Sequence, residues 1–161
     1  MLTTVYIGIG SNMKDPMQQV SRALQTLAEL SNCTLVSQSS MYSSDAVGPG
    51  QQDSYINAVA EINTDYSAAE LLEQLQTIEA AHGRVRKERW EPRPLDLDIL
   101  LYGNQIISTS TLSVPHPELS RRHFVLYPLA EIAPELALPD GRSMSQLIKE
   151  CSIGELLKVA E

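Results

Sequence analysis

At 161 residues with 43% hydrophobic content, the chain has enough apolar mass to bury a core of its own and reads as one domain over 1–161. Its net charge of −8 argues against nucleic acid as a partner, which demands an extended basic face to displace counterions. No run is long and apolar enough for a membrane span, and no basic-then-apolar leader opens the chain, so a cytoplasmic protein without a membrane partner is expected.

Thr3 to Ile9 alternates, with Val5, Ile7 and Ile9 on one face, and predicts a strand. Gly8-Ile9-Gly10-Ser11-Asn12-Met13 begins like a dinucleotide fingerprint, but Met stands where the third small residue belongs, so a tight turn is expected there. Asp15-Pro16 supplies an N-cap and a first-turn proline, after which Met17, Val20, Leu24 and Leu27 recur at helical spacing. Cys33 follows; it and Cys151 lie far apart in no metal or Cys-x-x-Cys spacing and are expected to be reduced. Leu35 to Tyr42 predicts a second, Ser-rich strand, followed by a polar loop through Gly48-Pro49-Gly50. Tyr55 to Asn63 alternates again, with Ile56, Ala58, Ala60 and Ile62 inward and Tyr55 and Asn57 on the other side. Ser67-Ala68-Ala69-Glu70 is a capping box opening a helix whose Leu71, Leu72, Leu75 and Ile78 form the buried stripe. Gly83 is placed to end that helix, and His82 near its end is expected to be a solvated cap.

Arg93-Pro94-Leu95-Asp96-Leu97-Asp98-Ile99-Leu100 is the most informative stretch. In a strand Leu95, Leu97, Ile99 and Leu101 point one way and Asp96 and Asp98 the other. A rise of about 3.3 Å per residue sets the two acids roughly 6.5 to 7 Å apart at their α-carbons. Like charges that close repel, and strands disfavour Asp, so a bound divalent cation would relieve the pair; oxygen-only ligation of this kind suits Mg²⁺. Immediately upstream, the segment 83–93 carries five of the twelve basic residues, Arg84, Arg86, Lys87, Arg89 and Arg93, together with the lone tryptophan, Trp90. Arginine offers planar donors to phosphate, and the indole a flat face for a ring. The alternative, a solvated loop beside a wet strand, leaves this local reversal of charge without a cause.

The order strand, helix, strand, strand, helix, strand is the split βαβ plan, a ferredoxin-like α+β fold with an antiparallel sheet and both helices on one face. Tyr55, Asn57, Asp96 and Asp98 then share the opposite face, where the active site is expected. Val114-Pro115-His116-Pro117, stiffened by its prolines, and Arg121-Arg122-His123-Phe124 are expected to help cover it. Phe124–Ala133 and Ser143–Val159 read as short helices joined around Pro139-Asp140-Gly141. His116, in a basic segment, is a candidate phosphate contact.

Gly10-Ser11-Asn12, Gly83-Arg84-Val85-Arg86, Arg89-Trp90-x-Pro92-Arg93-x-Leu95-Asp96-Leu97-Asp98-Ile99 and Val114-Pro115-His116-Pro117 together resemble 6-hydroxymethyl-7,8-dihydropterin pyrophosphokinase of folate biosynthesis, from the first strand to about Ala133-Pro134-Glu135. The resemblance implies transfer of pyrophosphate from ATP to the hydroxymethyl oxygen of the reduced pterin, leaving AMP, with two Mg²⁺ ions and ATP as co-substrate. It implies Asp96 and Asp98 as metal ligands, with Asp96 also near the pterin. Arg93, His116 and Arg122 are implied as phosphate contacts, with Arg84 and Arg86 on a loop that closes over the triphosphate. Gln76 and Glu79, one helical turn apart on an expected polar face, and Ile99 match nucleotide-contacting positions, and Trp90 faces both substrates. Tyr55 and Phe124 should sandwich the pterin, while Asn57 and the backbone around Ser44 and Val47 read its polar edge. The sequence departs from the family pattern at Glu91, where Gly or Ala is usual, and at Ser44-Asp45-Ala46, where Thr-Pro-Pro is common. Thr111 stands where some members carry Arg, and the loop 86–93 is a residue short.

Two competing readings are a non-catalytic ferredoxin-like module that binds a small ligand and a kinase that transfers only the γ-phosphate. A monomer is expected.

Overall fold

Alternation along the strands assigns each residue to one of two faces, and the computed structural model, which describes residues 2–12, 15–44, 55–82 and 94–159, shows both faces filled differently. The central strands are β1 (Thr3–Ser11) and β4 (Tyr55–Thr64), flanked by β5 (Asp96–Tyr102) on one side and by β2 (Cys33–Gln38) and β3 (Tyr42–Ser44) on the other. All of these pair antiparallel. Helices α1 (Pro16–Glu29) and α2 (Ala68–Ala81) connect β1 to β2 and β4 to β5, which is the ferredoxin-like arrangement. A short β8 (Leu157–Lys158) extends the sheet beyond β3.

Val5, Ile7 and Ile9 of β1, Ile56, Ala58, Ala60 and Ile62 of β4, and Leu95, Leu97 and Ile99 pack against Val20, Ala23, Leu24 and Leu27 of α1 and Leu71, Leu75 and Ile78 of α2. Met17, expected in that stripe, is exposed. α1 begins as the sequence predicts, with Asp15 accepting from Gln18 N–H and Pro16 in the first turn. The capping box of α2 is complete, Ser67 Oγ accepting from Glu70 N–H at 3.1 Å and the Glu70 carboxylate from Ser67 N–H at 2.9 Å. His82 does cap α2, but it is half-buried rather than solvated, its Nδ1 2.5 Å from Gln19 Oε1 on α1. Gly83 lies outside the described residues.

Three expectations are corrected. The predicted strand 35–42 is two strands, because Ser39 diverts the ladder: its Oγ accepts from Val59 N–H at 2.9 Å while its own N–H donates to Val59 O. The predicted tight turn at Gly8-Gly10 is strand, since β1 runs to Ser11 with Gly8 opposite Val59 and Asp98, and Gly10 opposite Asn57 and Asp96. The second late helix, α4 (Met144–Glu150), stops far short of Val159, and the chain instead ends the described region in β8.

The alternation of β5 also breaks where the sequence predicts continuity. Ile99 pairs with Ile7 and Leu101 with Tyr6, so Leu100 is an extra residue, a bulge. Beyond it Leu101 turns away from the helices, and Tyr102 replaces it in the core under α2. Leu100 and Leu101 join Val59, Leu126 and Leu129 of α3 (His123–Ile132), and Met144 and Leu147 of α4, in a second core on the opposite face of the sheet. That face is therefore half core and half open. Cys33 and Cys151 are free thiols, half-buried and buried.

Leu75 is fully buried between α2 and the sheet, whereas Glu73 on the same helix is exposed. Leu75→Ala is expected to cost about 2–5 kcal/mol. Glu73→Ala should stay within about 0.5 kcal/mol. Urea unfolding checks both, with the midpoint falling only for the first and the slope unchanged.

Candidate active site

The open half of the second face is a cleft of about 500 Å³ lined by Gly8, Gly10, Ser44, Tyr55, Asn57, Asp96, Asp98, Leu100, His116, Arg122, Phe124 and Val125, among others. Strand parity aims side chains of three strands into it, and the start of a helix adds a fourth set. β5 contributes Asp96, half-buried, and Asp98, exposed. β4 contributes Tyr55 and Asn57, β3 contributes Ser44, and the start of α3 contributes Phe124 with Arg122 at its N-cap.

The floor beneath the acids is glycine. A Cβ on Gly8 would stand 3.3 Å from Leu100 Cδ2, and one on Gly10 would stand 3.1 Å from Asn57 Oδ1. Side chains at these two positions would crowd the space that the cleft leaves open, which is a reason for glycine inside a strand. Alternation over Thr3–Ile9 already sets Gly8 on the face opposite Val5, Ile7 and Ile9, whereas Gly10 joins it only because β1 continues to Ser11.

Asn57 is buried, and its Nδ2 donates to Ser44 Oγ at 3.0 Å. That bond fixes the amide and leaves Oδ1 on the Gly10 side as the acceptor for a ligand. Phe124 carries the Arg122 guanidinium over its ring at 5.7 Å, a cation–π contact that holds both in the cleft wall.

His116 arrives by a route absent from the sequence reading. A hairpin of β6 (Ile107–Ser108) and β7 (Ser113–Val114) turns the chain back, and His116 N–H then donates to Leu100 O at 3.0 Å, the carbonyl of the bulged residue. Its Nδ1 accepts from Glu118 N–H at 3.1 Å, so the neutral ring carries its proton on Nε2. Burial holds the imidazolium down, reinforced by Arg122 and opposed by Asp98 and Glu118, so His116 titrates below its ordinary value. At neutral pH it is a neutral Nε2–H donor.

Other predicted residues fall elsewhere. Gln76 is exposed on α2, but Glu79 does not share a polar face with it: it is 5% exposed, and its carboxylate accepts Leu97 N–H at 2.8 Å. Three residues turn a helix by about 300°, which carries Glu79 to the edge of the buried stripe under β5. The Ile99 side chain is in the helix-side core, so only its backbone is available to a ligand in the cleft. Val47, Arg84, Arg86, Trp90 and Arg93, with the departures at Asp45 and Glu91, lie outside the described residues. Thr111 is exposed in the β6–β7 turn, its N–H donating to Thr109 Oγ1 at 3.3 Å.

The donor set suits a hard cation. Asp96 and Asp98 offer carboxylate oxygens over a glycine floor, and the lone pair of His116 Nδ1 is already taken. Among the described residues no group of three or more ligating side chains forms a closed cage. Mg²⁺, which takes one or two carboxylates and completes its shell with water and phosphate oxygens, fits this arrangement.

A model of the 7,8-dihydro-6-hydroxymethylpterin-pyrophosphokinase (HPPK) family matches residues 6–134. The chain is 46% identical over 158 residues to the 2-amino-4-hydroxy-6-hydroxymethyldihydropteridine pyrophosphokinase of Haemophilus influenzae, covering 98% of this chain and 99% of the relative. It is 46% identical over 151 residues to the enzyme of the same name from Pseudomonas aeruginosa, covering 94% and 93%. Among solved structures, Plasmodium falciparum HPPK-DHPS with pteroate superposes with a TM-score of 0.74 at 12% identity, over 93% of this chain and 42% of that one. At that identity the likeness speaks for the fold.

His116 should titrate by NMR with a midpoint below 6.5. Arg122→Ala should move the midpoint up and Asp98→Asn should move it down. Because the folded value is the depressed one, the unfolded chain takes up the proton first. The His116 contribution to stability is therefore complete above the unfolded pKa and is lost as pH falls towards the folded one.

Proposed function

The chain belongs to the 7,8-dihydro-6-hydroxymethylpterin-pyrophosphokinase family and is a pyrophosphokinase of folate biosynthesis, and from that premise we propose how its own residues carry out the transfer from ATP to 6-hydroxymethyl-7,8-dihydropterin. The observation that carries the reading is the meeting, in one cleft, of Asp96, Asp98, His116 and Arg122 with Tyr55, Asn57 and Phe124. The first four address a polyphosphate and the last three a flat, hydrogen-bonding ring. A module that only bound a small ligand would have no use for both sets together.

The pterin lies between Tyr55 and Phe124, and Asn57 Oδ1, oriented by Ser44, accepts from its polar edge. Its hydroxymethyl oxygen then faces the acid pair. The hydroxyl oxygen bonds to the β-phosphorus of ATP, the bond from that phosphorus to the oxygen bridging it to the α-phosphorus breaks, AMP leaves with that oxygen, and the hydroxyl proton passes to solvent. Such transfers depend on positioning and charge neutralisation more than on a strong nucleophile. Asp96 and Asp98 would hold Mg²⁺, two ions as the family resemblance implies, and the bound metal would supply the charge that offsets the triphosphate. His116 donates Nε2–H to a phosphate oxygen while remaining neutral, and Arg122 adds a full positive charge beside it. Gln76, the Ile99 backbone, Arg84, Arg86, Arg93, Trp90 and the Ser44–Val47 backbone are assigned the roles given above for the family, whereas Glu79, buried with its carboxylate on Leu97 N–H, is assigned to holding α2 against β5.

We place the protein in the cytoplasm as a single domain over 1–161, working as a monomer. No described helix is long and apolar enough to cross a membrane.

Incubation with MgATP and the reduced hydroxymethylpterin should give AMP in step with pterin diphosphate, read by chromatography of the nucleotides. Stoichiometric ADP would mean transfer of the γ-phosphate alone and overturn the proposed bond cleavage.

Asp96→Asn and Asp98→Asn should each lower kcat by orders of magnitude with urea midpoints no lower than wild type, because both side chains face the cleft rather than a core. Normal turnover by either variant at saturating Mg²⁺ would remove it from the metal site.

A further inference from the structure

The break between β2 and β3 leaves Ser40 outside the sheet ladder, and a single carboxylate from α3 closes the gap. Ser40 N–H lies 3.0 Å from Glu131 Oε2 and 3.2 Å from Oε1, Ser40 Oγ donates to Oε2 at 3.0 Å, and Tyr42 O–H donates to Oε1 at 2.6 Å. Lys158 of β8 adds its ammonium 3.9 Å from Oε1 and 5.9 Å over the Tyr42 ring. Burial raises the Glu131 pKa, but the hydrogen bonds from Tyr42 and Ser40 together with Lys158 outweigh it, so the group is held below the usual carboxylate range and is ionised at neutral pH. Its hydrogen bonds are therefore charge-assisted.

What this carboxylate joins is more telling than the bonds themselves. β3 is only three residues long, held by three register pairs to β4 and two to β8. It carries Ser44, whose hydroxyl orients Asn57. α3 carries Phe124 at its start, seven residues and about two helical turns before Glu131. The polar wall and one aromatic wall of the cleft thus sit on separate elements.

We propose that Glu131 is a positioning residue for the pterin: by tying α3 to the start of β3 it fixes the separation between Phe124 and the Ser44–Asn57 pair. The inference rests on the pterin reading of the cleft given above. Glu131 does not line the cleft, and it acts through the two elements that do. The acid pair and His116 are carried by β5 and by the segment after β7, so the phosphate side depends on the clamp only through Arg122 at the N-cap of α3.

Steady-state kinetics of the full chain test this with Glu131→Ala, Glu131→Gln and Tyr42→Phe. Glu131→Ala should raise the pterin KM about tenfold, the order expected when a ligand wall is displaced by a fraction of an ångström, while the ATP KM rises by clearly less, through Arg122 alone, and kcat at saturation stays within about twofold. Glu131→Gln, which keeps one acceptor oxygen, should show a smaller rise. Tyr42→Phe should raise the pterin KM more than the ATP KM, and should add nothing in the Glu131→Ala background. A pterin KM unchanged in Glu131→Ala, equal rises in both KM values, or a loss of kcat with both KM values unchanged would overturn the role. If Glu131→Ala does not fold, Tyr42→Phe decides, an unchanged pterin KM counting against the clamp. Wild-type turnover of the pterin is measured first: its failure defeats the functional reading, whereas a working wild type with insensitive variants defeats only the positioning role.

Discussion

β5 has to satisfy two solvents at once. Its Leu97 and Ile99 must be dry against α1 and α2, and Asp96 and Asp98, between and beside them, must stay wet on the reverse side. A strand meets both demands only while its period of two is intact. Burying either carboxylate unpaired would cost several kcal/mol, so the register of β5 against β1 is strongly set. The bulge at Leu100 ends that regime at the right point. Past the acids, the strand turns leucine towards α3, and the bulged residue offers its carbonyl to His116 N–H. One irregular residue thus ends the acid-bearing stretch and fixes the imidazole beside it.

The same economy explains why the cleft exists. A sheet with helices on one face leaves the other to be covered or solvated, and here α3 and α4 cover only part of it with Leu126, Leu129, Met144 and Leu147. At the edge of that second core the packing gives way to glycines at Gly8 and Gly10, and the missing side chains become ligand space. The groups around it are held by neighbours: Asn57 by Ser44, Arg122 by Phe124, His116 by Glu118 N–H. Restricting rotamers in this way lowers the entropy lost when a substrate binds. A protein of net charge −8 that takes a polyphosphate also needs cations close to the acids, and among the described residues Arg122 is one that lines the cleft.

Much of this was legible in the sequence because it is local. The capping box at Ser67, the Asp15-Pro16 start of α1, and the alternation of Val5, Ile7, Ile9 and of Ile56 to Ile62 each depend on chemistry within one turn or one strand. From the order of those elements the ferredoxin-like plan followed, and from strand parity the common face of Tyr55, Asn57, Asp96 and Asp98. His116 and the Arg122-to-Phe124 segment were legible as cover for that face, and they line the same cleft; the family resemblance added their separate roles.

The rest required contacts between segments far apart in the chain. Ser39 interrupts a strand only because Val59 N–H is there to meet its hydroxyl, and the Leu100 bulge exists only in the pairing of β5 with β1. Glu79 reads as one more polar residue on a helix until Leu97 N–H lies against it, and Glu131 carries no sign of its three donors and its lysine on three other segments. Periodicity is a property of one segment and can be counted from the chain. Which polar group ends up as whose partner is set by the packing of segments against one another, and that was decided only in the folded structure.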